Sequence, residues 1–428
     1  MKRFLLLLLL SVPVFLLAQS AMSLDDCIRL AYKQNPAVRN GVIGIKETKA
    51  DYIASVGAFL PHIVVNAETG KRFGRSLDPD TNGYTSESFE EGTVGLDMTL
   101  SLFEGFSRIN QVNKERSEWE LKEKQNELAY QVTDAYYKLI LERKLLDLAL
   151  EQSRLSERYL KQTEVFVELG LKSASDLQEV KARREGDIYR YQSRENSSRI
   201  ALLHLKQLMN IQPGDTLAIL DTITASQLPP YSVSTVETLY AQSIEILPSI
   251  RMIDLKQKAA HKEYAIAGGA FSPSVFARFT VGSNYYNTAF SARQLRDNIG
   301  KYVGVGISFP LLSGLQRLTN QRKLKLNMYR LKNEEELEKQ QLYTDIEQTL
   351  LSLHTGYSEH QQALSQLDAE TLVLKESERK WEEGLISVFQ LMEARNRFIA
   401  AKAELVRVRL QIEMMMKLEK YYRQGTFL

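Results

Sequence analysis

The chain has 428 residues, 55 Lys and Arg against 53 Asp and Glu, 44% hydrophobic residues and one cysteine. This near-neutral balance offers no basic field for nucleic acid, and one cysteine permits no intrachain disulfide, so packing and assembly must hold the fold. Beyond the N-terminal run no stretch reaches the roughly eighteen apolar residues of a membrane helix, so an integral form would have to be a closed β-barrel.

Lys2 and Arg3 precede an apolar run from Phe4 to Leu17 and small residues at Ala18, Ser20 and Ala21. Residues 1–21 therefore read as a cleaved export signal, too short to span a bilayer. Cys27 follows Asp25 and Asp26 rather than small residues, which argues against a lipid anchor and for a small hydrophobe at the start of a helix.

A first repeat is expected over 22–211: a long helix, strands at about 61–73 and 92–103, and a helical hairpin over about 107–210. Val94, Leu96, Met98, Leu100 and Leu102 alternate with Thr93, Gly95, Asp97, Thr99 and Ser101, and Ile63, Val65 and Ala67 alternate with Asn66, Glu68 and Arg72. An apolar face backed by a polar one at membrane length is the pattern of a transmembrane barrel, although a sheet covering a soluble core has the same period. Phe73, Phe89, Phe103 and Phe106, with Tyr285, Tyr286 and Tyr302 later on, stand near strand ends as an interfacial girdle would, and the loop from Gly74 to Gly92 is polar.

Asp80 to Gln212 contains no proline, and Leu121, Leu128 and Ala135, then Leu141, Leu148 and Leu155, recur every seven residues. Such heptads predict supercoiled helices with a narrow apolar seam. From Ser107 to Leu169 a straight helix would be roughly 95 Å long. Gly170 is placed to end it, and Ser173 to cap the next helix.

Residues 212–234, with Pro213, Pro229 and Pro230, read as a linker. A second repeat then fills 235–428, with strands at about 273–285 and 302–312 and a hairpin over about 315–424. Val275, Ala277, Phe279 and Val281 alternate with Arg278, Thr280 and Asn284; Val303, Val305, Ile307 and Phe309 alternate with Tyr302, Gly304, Gly306 and Ser308. The heptads return as Leu353, His360, Leu367, Leu374 and Trp381, and the turn as Gly384 and Ser387. Pro248, Gly269 and Pro273 each lie 212 residues after Pro36, Gly57 and Pro61, so the chain is an internal duplication. Four strands cannot close a membrane barrel, which starts at about eight; two copies would give eight and three would give twelve, and only the larger leaves a useful lumen.

With the export signal, the duplication and the paired strands and hairpins in place, the chain resembles the TolC-like outer-membrane efflux proteins over roughly 22 to 424. The segments Phe166–Leu177 and Trp381–Ala394 carry the resemblance, as the two hairpin tips. The resemblance implies a mainly α fold with a membrane β-barrel part: a homotrimer forming one twelve-stranded barrel in the outer-membrane lipid and a long α-helical periplasmic tunnel. It implies a passive exit duct fed by a periplasmic adaptor (membrane fusion) protein and an inner-membrane transporter, proton-driven or of ABC type, in efflux or type I secretion.

By the same resemblance, Gly170, Leu171, Ser173, Gly384, Leu385 and Ser387 would dock the adaptor, and the periplasmic gate would involve Glu393, Gln390, Asp176, Ser175, Trp381 and Ile386. Glu393 keeps one acidic ring position where Gln390 loses another, and Trp381 and Ile386 replace a tyrosine and an arginine of the family's latch, which leaves the Trp381 indole N–H to bond Asp176. The competing reading is a periplasmic coiled-coil scaffold. An enzyme fits poorly: His62, His204, His261, His354 and His360 stand in no ligand motif, so neither a catalytic residue nor a metal or cofactor is expected.

Overall fold

A computed structural model of the single chain describes residues 21–57, 59–77, 82–86, 88–103, 111–221, 228, 234–287, 290, 292–309, 311 and 314–428. Residues 1–20 of the expected signal, Phe106, and 222–227 and 229–233 of the expected linker lie outside these residues. In chain order the elements are α1 (Leu24–Gln34), α2 (Pro36–Gly57), β1 (His62–Arg72), β2 (Ser76–Leu77), β3 (Tyr84–Thr85), β4 (Phe89–Phe103), α3 (Gln111–Glu168) and α4 (Ala174–Leu208). The second half supplies α5 (Val236–Ile246), α6 (Pro248–Gly269), β5 (Ser274–Asn287), α7 (Ala292–Asp297), β6 (Gly300–Ser308), α8 (Gln316–Glu382) and α9 (Val388–Gln424).

The duplication holds down to single hydrogen bonds. Ser23 caps α1 and Thr235 caps α5, and the two helices end alike, with Asn35 N–H on the Ala31 carbonyl at 2.8 Å and Leu247 N–H on that of Ser243 at 3.0 Å. The one long helix expected before the strands is two in each half. Pro36 and Pro248 open α2 and α6, and the residue before each is extended, with ψ of 128° at Asn35 and 134° at Leu247. A proline ring crowds its predecessor out of the helical region but suits the first position of a new helix. Cys27 falls where the second repeat has Leu239, and both side chains are fully buried.

Two compact units are present. One comprises Met1–Asn40, Leu121–Leu247 and Gln340–Leu428. Its core is built by α1, α3 and α4 around Ile28, Val132, Tyr136, Leu139, Leu205 and Met209. Of the heptad positions, Leu128, Ala135, Leu148, Leu353, His360 and Trp381 are buried and Leu121, Leu141, Leu155, Leu367 and Leu374 half-buried, so the seam is the packed face of each helix. The described start of the linker folds back on this unit: Tyr136 donates to the Leu220 carbonyl at 2.5 Å, and Lys206 Nζ to those of Pro213 and Asp215 at 2.9 and 2.6 Å.

The other unit comprises Gly41–Glu120 and Pro248–Lys339. It holds an antiparallel sheet in the order β1-β4-β5-β6, so the central pair, β4 with β5, joins the two repeats. Register puts Val65, Leu96 and Val281 in one row and Ile63, Met98, Phe279 and Val303 in the next, forming an apolar face. Asp97 and Thr280, then Thr99, Arg278 and Gly304, lie on the opposite, polar face. Strand bounds differ from expectation mainly at β4, which begins at Phe89, and at β6, which ends at Ser308.

The expected aromatic girdle is corrected in part. Phe73 and Phe103 are exposed, but Phe89 is buried, stacked on Tyr286 at 4.8 Å between ring centroids. Tyr285 is also buried, its hydroxyl 2.5 Å from that of Thr69 and its ring close against Gly92. Tyr302 lies on the polar face. Stacking and hydrogen bonding within the sheet draw in three rings that sequence position alone would hand to lipid.

Candidate functional site

The hairpin tips are two copies of one backbone design. Gly170 and Gly384 adopt left-handed φ angles of 71° and 75° two residues past the ends of α3 and α8. The amide after each glycine reaches five residues back, from Leu171 to the Phe166 carbonyl and from Leu385 to that of Lys380, both at 2.8 Å. Each glycine amide bonds three residues back, to Val167 and to Trp381, both at 3.0 Å. This paired bonding closes a helix C-terminus around a residue without Cβ. The side chain after the glycine usually covers the helix end, yet Leu171 and Leu385 are 65% and 68% exposed.

Ser173 and Ser387 then cap α4 and α9 through reciprocal boxes. Ser173 Oγ accepts from the Asp176 amide at 3.1 Å while Asp176 Oδ2 accepts from the Ser173 amide at 3.0 Å and hydroxyl at 2.8 Å. These bonds hold the Asp176 carboxyl below the usual carboxylate range. Gln390 Oε1 accepts the matching bond from the Ser387 amide at 3.0 Å. Asp176 and Gln390 therefore have a local task, satisfying the first amides of their helices.

The bond expected between Asp176 and the Trp381 indole is absent. Trp381 is 2% exposed, its Nε1 has no partner, and its ring stands edge-on to Tyr159 at 5.1 Å and tilted to Phe166 at 5.8 Å. Val180, Val388, Leu391 and Met392 are buried with it, and Ile386 packs half-buried against the group. Within one protomer the two tips are joined by an aromatic and aliphatic cluster that takes in the Trp381 ring, while the Asp176 carboxylate bonds its own N-cap residue. Ser175 is exposed in the first turn of α4. Glu393 is exposed on α9 and paired with Arg397 at 3.1 Å.

Sequence reasoning overlooked a buried polar layer beside this cluster. Asp187 on α4 accepts from Gln152 Nε2 at 2.9 Å and from the Ser156 hydroxyl, and Gln152 also donates to Asn396 Oδ1 at 3.2 Å. Arg395 is buried with its guanidinium 5.3 Å from the Tyr159 ring centre, and desolvation lowers its pKa. A signal was present: Asp187 and Arg395 each fall seven residues after a buried valine, Val180 and Val388, at positions where a seam expects apolar side chains. Among the described residues no group of three or more His, Cys, Asp and Glu comes together to hold a metal ion, and no helix is long and apolar enough to cross a membrane.

A duplicated chain with twin-tipped helical hairpins and a four-stranded sheet, apolar on one face and polar on the other, defines a class of export ducts. The outer membrane efflux protein family matches residues 27–210 and 239–414, one span in each repeat, and the chain belongs to that family. No curated protein matches the sequence. Among solved structures it is similar to the Campylobacter jejuni CmeC outer membrane channel, with TM-score 0.81 and 14% identity over 94% of this chain and 85% of that one. It is also similar to the outer membrane protein VceC of Vibrio cholerae, with TM-score 0.78 and 15% identity over 95% and 97% of the two chains. For the open state of the Neisseria gonorrhoeae MtrE outer membrane channel the values are 0.74, 18%, 95% and 89%. The protein is an outer-membrane exit duct for an efflux system, with its strands in the outer membrane and its long helices in the periplasm.

Proposed function

We propose that three copies close their sheets into one twelve-stranded barrel, and that the helical tips dock a periplasmic adaptor which connects the duct to an inner-membrane transporter. The observation that carries this is the sheet itself: its apolar face exposes Ile63, Val65, Val303, Val305 and Ile307, and the order β1-β4-β5-β6 leaves both outer strands open for pairing. In lipid such edges must be closed by neighbouring strands. The test is fractionation followed by light scattering. The protein should resist extraction by carbonate, dissolve in detergent and have a trimer's mass. A monomer that washes off membranes would instead support the periplasmic scaffold.

Leu171 and Leu385 are the proposed adaptor contacts, since exposed apolar side chains at the tips, with Leu169 and Phe389 beside them, mark a partner surface. Leu171→Asp with Leu385→Asp should abolish efflux in cells while the trimer and its insertion persist. Continued efflux would exclude contact between tips and adaptor. The gate is proposed at the second tip, where three Glu393 carboxylates would ring the axis and favour cations. Glu393→Ala should then reduce cation selectivity in planar bilayers. The cluster around Trp381 supports closure by packing, so Trp381→Ala should raise conductance more than Asp176→Ala, whose carboxylate serves its own helix.

A further inference from the structure

The polar face of the sheet carries a constellation that neither docking nor gating uses. Asp97, near the middle of β4, accepts from Thr280 Oγ1 at 2.9 Å on one oxygen and from Asn66 Nδ2 at 3.2 Å on the other. Arg278 is next to it across β4 and β5, but its guanidinium stays 3.9 Å from Asp97, beyond hydrogen-bond distance, and its side chain is 55% exposed. Asp97 is satisfied by neutral donors, which leaves most of the arginine fork unspent.

Two aromatic rings flank this arginine. Tyr302 folds over Gly304 and Phe276 over Gly306, so closely that a Cβ at either glycine would collide with the ring above it. The glycines let both rings lie down against the strand instead of standing off it. Tyr302 remains more than half exposed, so an aromatic surface is open beside the guanidinium. Together with Asp97 and Thr280 these residues line a cavity of about 530 Å³.

We infer that this constellation is a resting site in the bore for planar organic anions, with Arg278 holding the anionic group and Tyr302 and Phe276 supporting the ring system. The inference rests on the barrel reading, in which the polar face lines the bore. A guanidinium matches a carboxylate or sulfonate with two parallel hydrogen bonds, and an aromatic floor adds stacking that a small inorganic anion cannot use. Asp97 acts as a built-in competitor: its charge weakens the site enough for the solute to leave, as a conduit requires. Three copies would place three such sites around one bore.

The test is current blockade in planar bilayers by 2-naphthalenesulfonate, with methanesulfonate carrying the charge without the ring and 2-naphthol the ring without the charge at neutral pH. The sulfonated ring should interrupt the wild-type current reversibly, and the two controls should not. Arg278→Gln should shorten the interruptions at least tenfold and Tyr302→Ser at least threefold, whereas Asp97→Asn, which keeps the geometry and removes the competing charge, should lengthen them. A role confined to holding the sheet together cannot move the arginine and aspartate variants in opposite directions. Conduction without blockade, equal blockade in Arg278→Gln, or shortened blockade in Asp97→Asn overturns the site and leaves the duct intact. Absence of any conductance overturns the duct and the site with it.

Discussion

Cys27 and His360 show how burial decides the chemistry of single side chains. Burial, reinforced by the neighbouring Asp26 charge, pushes the Cys27 thiol up to about 12, so almost no thiolate exists at neutral pH. A thiol reagent such as DTNB should leave the native protein unlabelled and modify one site per chain once it is unfolded; rapid labelling of native protein would contradict the packing of α1. His360 occupies a buried seam position, where desolvation first and then the Arg409 charge hold its imidazole below the ordinary value. The unfolded chain therefore takes up a proton at higher pH than the folded one. Stability should fall as pH drops below about 6.5 and level off once the folded imidazole also charges. The thermal midpoint measured at pH 7.5 and 5.5 should drop less in His360→Gln than in wild type.

The tips are the elements whose design is most sharply defined. A Cβ at Gly170 or Gly384 would meet nothing, so an alanine there costs only the left-handed backbone, about 1 kcal/mol. Hydrogen exchange of the Leu171 and Leu385 amides should quicken about fivefold in the corresponding glycine-to-alanine variants, because that strain is released when the turn opens. An unchanged rate would mean that the closing bonds already open without resistance. These turns were legible because glycine and a capping serine recur together in both repeats, and the strands because their apolar and polar residues alternate. The Asp176 cap was less legible: a carboxylate three residues after a serine suits a capping box as well as a latch, and only the bonds it makes, to the Ser173 amide and hydroxyl, separate the two. The Asp187 layer was hidden for a related reason. A charged residue at a seam position looks like an interruption of the pattern until three helices bring Gln152, Ser156 and Asn396 around it.

For the whole molecule, the open edges of the sheet bear on how the duct arrives in its membrane. Strands β1 and β6, of 11 and 9 residues, each lack a partner on one side among the described residues. A protomer entering lipid alone would carry roughly ten unpaired backbone groups into hydrocarbon along each edge, at several kcal/mol apiece. No plausible gain from burying Ile63, Val65, Val303, Val305 and Ile307 offsets that. The barrier falls only when three sheets meet and close, so the step that commits the protein to the bilayer is a three-body encounter. At low occupancy the initial rate of insertion into vesicles should rise with nearly the third power of protomer concentration, and a first-order dependence would mean that single chains can insert unaided. Modest changes in expression would then be amplified: halving the supply of exported protomers would cut the arrival of new ducts about eightfold, making duct number a threshold response to synthesis rather than a proportional one.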